Sequence, residues 1–314
     1  MNSQVHELLD GVHRVTFPLP LGIDHVHCYL LGGADGWTVV DTGLGVPDAR
    51  ERWARLLEEL DGPVARVVIT HFHPDHVGAA ADVAELTGAP VHQGREDYGQ
   101  CVRVWGESRD PRRLVEYMTR HGLPRDHAPR ILAESDALAA LVRFARDPEP
   151  LEPGQRVDGW EVLSLRGHAD GHLGLLRDGV LVAGDALLAG ISPNVGLYPE
   201  SRPDPLGDYL ESLRRVIELA PRVAYAGHRE SIEDPAARAQ ALIAHHGERL
   251  DQALRAVDGE PRNAYEVSLL LFPDPLHPTL RRFALAEARA HLERLVLTGR
   301  AGRVEAADSL RYSA

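Results

Sequence analysis

Apolar positions along this chain alternate between short β-branched runs and longer amphipathic stretches. In the first third, the short runs predict strands at residues 12–17, 26–31, 37–40 and 65–70. The amphipathic stretches between and after them predict helices at residues 46–60 and 75–87. The same rhythm returns after residue 150, with strands predicted at 160–165, 173–176, 180–183 and 223–227 and a helix at 205–219. Alternation in two halves indicates an α/β protein.

Two segments depart from this rhythm. Residues 94–150 predict helices at 114–121 and 131–146, joined by links that contain Pro and Gly, and we expect a helical insertion that acts as a lid over a cleft. After Pro235 the pattern predicts three helices and a hairpin at 303–312, which is a winged-helix-like order. We therefore divide the chain into a larger domain, residues 1–235, and a small C-terminal domain, residues 236–314.

Four residues of metal-ligand type fall within six positions, at His71, His73, Asp75 and His76. The run before them predicts a buried strand and the stretch after them a helix, so the cluster lies on a strand-to-helix turn. Imidazole and carboxylate ligands without a nearby cysteine suit zinc, iron or manganese. The sequence therefore predicts a metal site at this turn.

The motif His-x-His-x-Asp-His resembles the signature of the metallo-β-lactamase superfamily. Further pieces of that family's pattern follow at predicted strand ends, namely Asp41 in Asp41-Thr42-Gly43, His168 in a Gly-His-Ala-Asp-Gly-His stretch, Asp185 and His228. The resemblance covers about residues 10 to 235. It implies an αββα sandwich of the metallo-β-lactamase type, with the metal site at the edge of the sheets.

The resemblance also implies a role for each residue. One metal ion is expected on His71, His73 and His168, a second on Asp75, His76 and His228, and Asp185 is expected to bridge the two. Zinc is the first candidate for both ions, with manganese and iron as alternatives. Behind these ligands, Asp41 is expected to orient a histidine, and His172 is left open between an orienting role and a purely structural one. In the family a hydroxide bridges the metals, and Asp75 can orient it and take up its proton.

Three activities fit this site. The preferred one is dinuclear hydrolysis of a small ester, thioester or lactone. Related lactonases carry a Tyr soon after the bridging Asp, but here the nearest is Tyr198, which weakens the lactone alternative. The C-terminal order resembles that of a subgroup that includes a single-strand endoribonuclease, and other relatives with a similar motif are mononuclear-iron persulfide dioxygenases. Apolar insertion residues, Tyr98, Trp105, Leu114, Tyr117 and Met118, favour an acyl substrate over RNA.

Charge and composition limit the classes of molecule that the protein is expected to bind. The formal net charge is −13, and residues 94–150 and 245–314 each balance ten arginines with ten acidic residues, so the acidic excess lies in the catalytic core. This disfavours nucleic acid, although a local pair such as Arg281-Arg282 offers phosphate contacts. No run reaches the roughly 20 apolar residues of a membrane span, and no signal peptide or disulfide is expected. We expect a cytoplasmic enzyme of small molecules, and the sequence allows a homodimer.

Overall fold

The computed structural model describes residues 5–9, 11–20, 22–273, 276, 278–306 and 309–314. Its first sheet has seven strands that lie side by side in chain order: β1 (Val5–Glu7), β2 (Val12–Pro18), β3 (His25–Gly33), β4 (Gly36–Val40), β5 (Val64–Ile69), β6 (Val91–Gln93) and β7 (Glu149–Pro150). The strands are antiparallel from β1 to β4 and parallel from β4 to β7. The three N-terminal strands that the apolar runs predicted are therefore present.

The second sheet follows the insertion and contains β8 (Arg156–Val157), β9 (Trp160–Ser164), β10 (Leu173–Arg177), β11 (Val180–Gly184) and β12 (Val223–Ala226). Its spatial order is β12-β11-β10-β9-β8, and only its β11–β12 pair is parallel. The Asp178-Gly179 hairpin turn joins β10 to β11, with both residues at positive φ. A third small sheet contains β13 (Arg262–Asn263), β14 (Gly302–Glu305) and β15 (Leu310–Ser313).

The described helices are α1 (Ala49–Glu58), α2 (Pro74–Val77), α3 (Ala80–Thr87), α4 (Arg95–Val104), α5 (Pro111–Arg120), α6 (Ala128–Ala139), α7 (Pro205–Leu219), α8 (Pro235–Val257), α9 (Ala264–Leu271) and α10 (Pro278–Leu297). A short 3₁₀ turn, Arg125–His127, precedes α6. Asn263 and Glu266 form a capping box at the start of α9. None of the helices in these described stretches is long and apolar enough to cross a membrane.

Alternating side chains build four layers. On β5, Val67 and Ile69 face the helices α1 and α3, whereas Val68 faces the second sheet. On β11, Leu181 and Ala183 pack toward α7 and α8, whereas Val182 packs toward the first sheet. The two sheets thus share one apolar layer and carry helices on their outer faces. This is the predicted αββα sandwich.

The helix predicted at residues 75–87 is broken into α2 and α3. Gly78 lies between them against Gly45, where an added Cβ would approach the Gly45 nitrogen within 2.7 Å. The Ala79 and Ala81 amides donate to the Gly43 and Arg143 carbonyls, at 3.1 and 2.8 Å, rather than along one helix. Tertiary hydrogen bonds therefore override the continuous helical pattern.

The insertion differs from its prediction at both ends. A helix that the pattern did not show, α4, begins it, and the helix predicted at 131–146 ends at Ala139. Beyond Ala139 the backbone pairs with the loops of the first layer, because Gly45 N donates to Leu141 O at 3.0 Å and Arg143 N donates to Gly78 O at 2.7 Å. These bonds hold the chain out of a helical conformation.

The insertion and the C-terminal helices share one hydrophobic core. Met118 and Ile131 of the insertion pack with α8, α9 and α10, and Tyr265 N donates to His121 O at 3.0 Å. Met118 has no exposed surface, so the expectation that it lines a substrate pocket is wrong. The predicted division at residue 235 falls at the start of α8, which packs on both α7 and α10, and the division itself stays a prediction.

The C-terminal arginines are also placed differently from their prediction. Arg281 is 7% exposed and donates to Ser268 O and Phe272 O, at 3.0 and 3.1 Å. Arg282 is 9% exposed and stacks on the Phe283 ring at 4.8 Å. The pair is therefore not an exposed patch for a nucleic-acid backbone, and that expectation is wrong because both side chains are used or covered within the domain.

Candidate metal centre

The centre lies where strands of both sheets end. Asp41 directly follows β4, His71 lies two residues after β5, and Asp185 directly follows β11. His228 lies two residues after β12, and His168 lies on the turn between β9 and β10. Because these ends meet at one edge of the sandwich, residues far apart in sequence are brought together.

The first group of donor atoms comes from His71, His73 and His168, whose nearest ligand atoms lie within 4.8 Å of one another. His71 Nε2 is 3.1 Å from His73 Nδ1. His71 is fully buried, and the His168 ring is 4.5 Å from the His73 ring, centroid to centroid. This is the set that the resemblance implies for one metal ion.

The second group contains Asp75, His76 and His228, again with ligand atoms within 4.8 Å. Asp75 Oδ2 lies 3.3 Å from His228 Nε2 and 4.0 Å from His76 Nε2. His76 and His228 are buried, whereas the Asp75 side chain retains 16% exposure. Asp75 therefore borders the accessible side of the cluster.

Asp185 lies between the two groups. Its Oδ2 is 3.6 Å from His168 Nε2 and 3.2 Å from His228 Nε2, and its Oδ1 is 3.5 Å from His76 Nε2. It also joins His71 and His76 in a third set of ligand atoms within 4.8 Å. One carboxylate thus contacts histidines of both groups, which is the geometry that a bridging ligand requires.

Four histidines are oriented through their Nδ1 atoms. The partners are Thr70 Oγ1 for His71 at 3.0 Å, Asp41 Oδ2 for His76 at 2.8 Å, Asn194 O for His168 at 2.8 Å and His25 O for His228 at 2.7 Å. An acceptor at Nδ1 keeps the proton on that atom and leaves the Nε2 lone pair for a metal ion.

The donor atoms fit a metal ion. His76 Nε2, His168 Nε2 and Asp185 Oδ1 are fully enclosed and have no hydrogen-bond partner among the described residues. Buried polar atoms of this kind are costly unless a ligand satisfies them. Nitrogen and carboxylate oxygen donors are those that zinc, iron and manganese accept, so these residues can hold such ions.

Burial and neighbouring charges shift the pKa values of the histidines and carboxylates in the cluster. Burial lowers the pKa of His73 to about 3. Burial also lowers the pKa of His228, but the Asp185 carboxylate and hydrogen bonds to Asp185 and Asp75 outweigh it and raise the value to about 10. Burial would raise the pKa of Asp185, yet His76 and His228 hold it well below its usual range. The carboxylates therefore stay ionised, and a bound cation would replace the Nε2 proton of His228 as their partner.

Asp41 and His172 support the centre from behind. Asp41, at φ 59°, accepts from Thr70 N at 2.8 Å and Thr70 Oγ1 at 2.7 Å besides contacting His76. His172 is fully buried, its Nε2 accepts from Asp185 N at 3.1 Å, and its ring stacks on His71. Both side chains therefore contact predicted ligands, and the orienting role expected for Asp41 and left open for His172 stays a prediction.

Sequence reasoning missed the residues that orient ligands through backbone oxygens. The carbonyls of His25 and Asn194 fix His228 and His168, and no side-chain pattern marks a carbonyl of this kind. Tyr198 was named only as a distant Tyr, but its hydroxyl lies 3.3 Å from Asn194 Oδ1. The sequence did not indicate this contact, because Tyr198 is far along the chain from most of the predicted ligands.

Comparison with known proteins gives consistent results. The sequence profile described as the Metallo-beta-lactamase superfamily matches residues 21–228, and the profile described as the Metallo-beta-lactamase-like, C-terminal domain matches residues 250–314. The crystal structure of a metallo-beta-lactamase family protein from Thermus thermophilus is 38% identical, with a TM-score of 0.85 and coverage of 98% of this chain and 99% of that one.

Two curated proteins extend the comparison. Probable metallo-hydrolase YqjP of Bacillus subtilis is 28% identical over 304 residues, which span 90% of this chain and 92% of that protein. Hydroxyacylglutathione hydrolase GloC of Haemophilus influenzae is 32% identical over 144 residues, 45% of this chain and 58% of that protein. The predicted resemblance is confirmed: this chain belongs to the metallo-beta-lactamase superfamily and is a metal-dependent hydrolase.

Proposed function

We propose that this chain is a dinuclear hydrolase that cleaves a small ester, thioester or lactone. The observation that carries the proposal is the position of Asp185, whose two oxygens lie 3.2–3.6 Å from histidines of both ligand groups. A single mononuclear site needs no such carboxylate. Zinc is the first candidate for both ions, with manganese and iron as alternatives.

Bound ions at this position would lower the pKa of water toward neutrality and polarise a carbonyl oxygen of the substrate. The chain's own residues supply positioning and proton transfer. Asp75 borders the accessible side, where its side chain keeps 16% exposure, and its Oδ2 lies 3.3 Å from His228 Nε2. Asp75 can therefore orient the attacking water and take up its proton, and it is the proposed catalytic base.

The thioester alternative has support from the comparisons. The name of GloC, hydroxyacylglutathione hydrolase, describes hydrolysis of a glutathione thioester. Its match covers 45% of this chain, so the name supports thioester hydrolysis as a bond class but not glutathione as the substrate. Two features disfavour RNA as the substrate: the acidic catalytic core and the internal hydrogen bonds of Arg281. Long polyanions would approach this core against its field.

The test combines metal analysis with a substrate panel. Wild-type protein is expected to bind two ions per chain and to hydrolyse at least one class among aryl esters, thioesters and lactones. Asp185→Asn preserves side-chain size but removes the negative charge, so we expect loss of at least one ion and of most activity. Asp170→Asn is the matched control, because Asp170 is also buried but contacts Gln100 and the Arg202 amide.

Two outcomes would overturn the proposal. Retention of two tightly held ions and a near-normal rate in Asp185→Asn would remove the bridging role. Efficient cleavage of labelled single-stranded RNA at low salt, lost in His73→Ala and unaccompanied by acyl hydrolysis, would replace the substrate class. Low salt is chosen because phosphate contacts contribute most there.

A further inference from the structure

The loop between β11 and α7 connects the metal centre to the C-terminal domain. Its Asn194 carbonyl accepts from His168 Nδ1 at 2.8 Å, and the side chain of the same residue donates from Nδ2 to Glu287 Oε2 at 2.9 Å. Three residues further on, Leu197 N donates to Ala286 O at 3.0 Å. The loop that fixes one predicted ligand is therefore anchored on α10.

We infer that Glu287 is a positioning residue for His168, so that α10 of the C-terminal domain completes the metal centre. This inference rests on the ligand role proposed for His168. The ring orientation of a metal-binding histidine is set by the partner of its other nitrogen. Here that partner is a backbone carbonyl, whose place depends on what holds the Asn194 side chain.

The Asn194 amide is held at both ends. Tyr198 OH lies 3.3 Å from its Oδ1, and Glu287 accepts from its Nδ2. Glu287 is 7% exposed, and among the described residues its carboxylate has one hydrogen-bond partner, this amide. Burial of a carboxylate costs stability unless hydrogen bonds offset the cost, and the hydrogen bond that Glu287 makes leads directly to the metal centre.

The test compares Glu287→Ala with Glu287→Gln. Alanine removes the nearer acceptor and leaves Asn194 Nδ2 with only its long contact to Phe283 O, at 3.5 Å, whereas glutamine retains an oxygen at the same place. We expect Glu287→Ala to weaken the affinity for one of the two zinc ions about tenfold in chelator competition, and Glu287→Gln to restore most of it.

The matched control is Glu293→Ala on the same helix. Glu293 is also buried, but its oxygens accept from Arg303 and the Tyr312 hydroxyl within the C-terminal domain. We expect this variant to lower the melting temperature without selective loss of an ion. Equal loss in both variants would mean that only domain stability matters, and unchanged zinc affinity in Glu287→Ala would overturn the inference.

A second measurement works without metal. In metal-free wild-type protein, nitrogen-15 NMR spectra of the imidazoles are expected to show the His168 proton on Nδ1, and Glu287→Ala is expected to shift part of the population to Nε2–H. If wild-type protein binds fewer than two ions, the proposed function fails, and the tautomer then decides the positioning role. An unaltered His168 tautomer would refute it.

Discussion

The imidazole of His172 accepts a hydrogen bond from the backbone N–H of Asp185, with 3.1 Å between the two nitrogens. The contact is possible because Gly184 precedes Asp185 at φ 50°, where an added Cβ would lie 2.8 Å from His172 Nε2. The proposed bridging carboxylate is thus fixed through its own backbone. His172 in turn stacks on His71, with ring centroids 4.7 Å apart.

His172→Phe should weaken the metal centre without removing a ligand. Phenylalanine preserves the buried ring but leaves the Asp185 N–H without an acceptor, which costs about 1–3 kcal/mol. We expect a lower metal content after dialysis and a fall in kcat, with a modest drop in Tm. The control is His246→Phe, a buried histidine of α8 outside the centre. Full metal content and normal kcat in His172→Phe would contradict the role.

The sequence predicted that the side chains of the centre lie together because they follow strands whose apolar runs are unambiguous, and their roles as ligands stay predictions. His71, Asp185 and His228 each follow a buried β-branched or small-residue run, so their meeting at one edge follows from sheet topology. What could not be predicted depends on tertiary backbone contacts. The break at Gly78 arises from the packing of Gly45, and the Asn194 carbonyl has no signature in the sequence.

Met118 provides a test of the insertion's role. Its side chain is fully buried with Ile131 and the C-terminal helices rather than open to substrate. Met118→Ala should cost about 2–5 kcal/mol of unfolding free energy, whereas Met118→Leu should cost less than about 1.5 kcal/mol. Relative rates on different acyl substrates should stay unchanged in both. A changed substrate preference with unchanged stability would restore the pocket role.

Buried histidines make the contact between helices α8 and α10 sensitive to acid. His246 Nδ1 lies 3.2 Å from His291 Nε2, and both rings are fully buried. Burial, with the neighbouring His291, lowers the pKa of His246 to about 3, and burial lowers that of His291 to about 4. The surrounding groups are His245 and Arg249 of α8, the Tyr209 ring of α7 and the Glu287 carbonyl.

The direction in which stability changes with pH follows from proton binding by the two histidines. The unfolded chain takes up these protons as the pH falls through about 6.5, but the folded chain does so only near 3 to 4. The contribution to stability is therefore complete above pH 6.5 and is lost as the pH falls toward 4. His246→Phe should flatten the dependence of Tm on pH in this window, whereas His127→Phe on the insertion should not. An equally steep dependence in His246→Phe would refute this assignment.

The surroundings of Arg282 lead to a prediction about the charge of the substrate. It is 9% exposed, and among the described residues no hydrogen-bond acceptor or carboxylate contacts its guanidinium; its Nε is fully enclosed. The group lies near Tyr198, where burial raises the pKa of the phenol and the Arg282 charge opposes that rise. A guanidinium that has no carboxylate partner among the described residues is suited to one carboxylate or phosphate group of a small substrate.

We therefore expect preference for substrates that carry one negative charge. The effect of substrate charge is measured with two thioesters of equal size. One carries a carboxylate on its thiol portion, and the other carries the corresponding amide. Arg282→Gln should lower kcat/KM about tenfold for the charged thioester alone, mainly through KM, because it removes a charge-assisted hydrogen bond. Arg281→Gln is the matched control, since that neighbour donates to Ser268 and Phe272 carbonyls and should change stability but not the ratio. Equal rates for the two thioesters in wild-type protein, or the same loss on both in Arg282→Gln, would show that Arg282 does not select for charge.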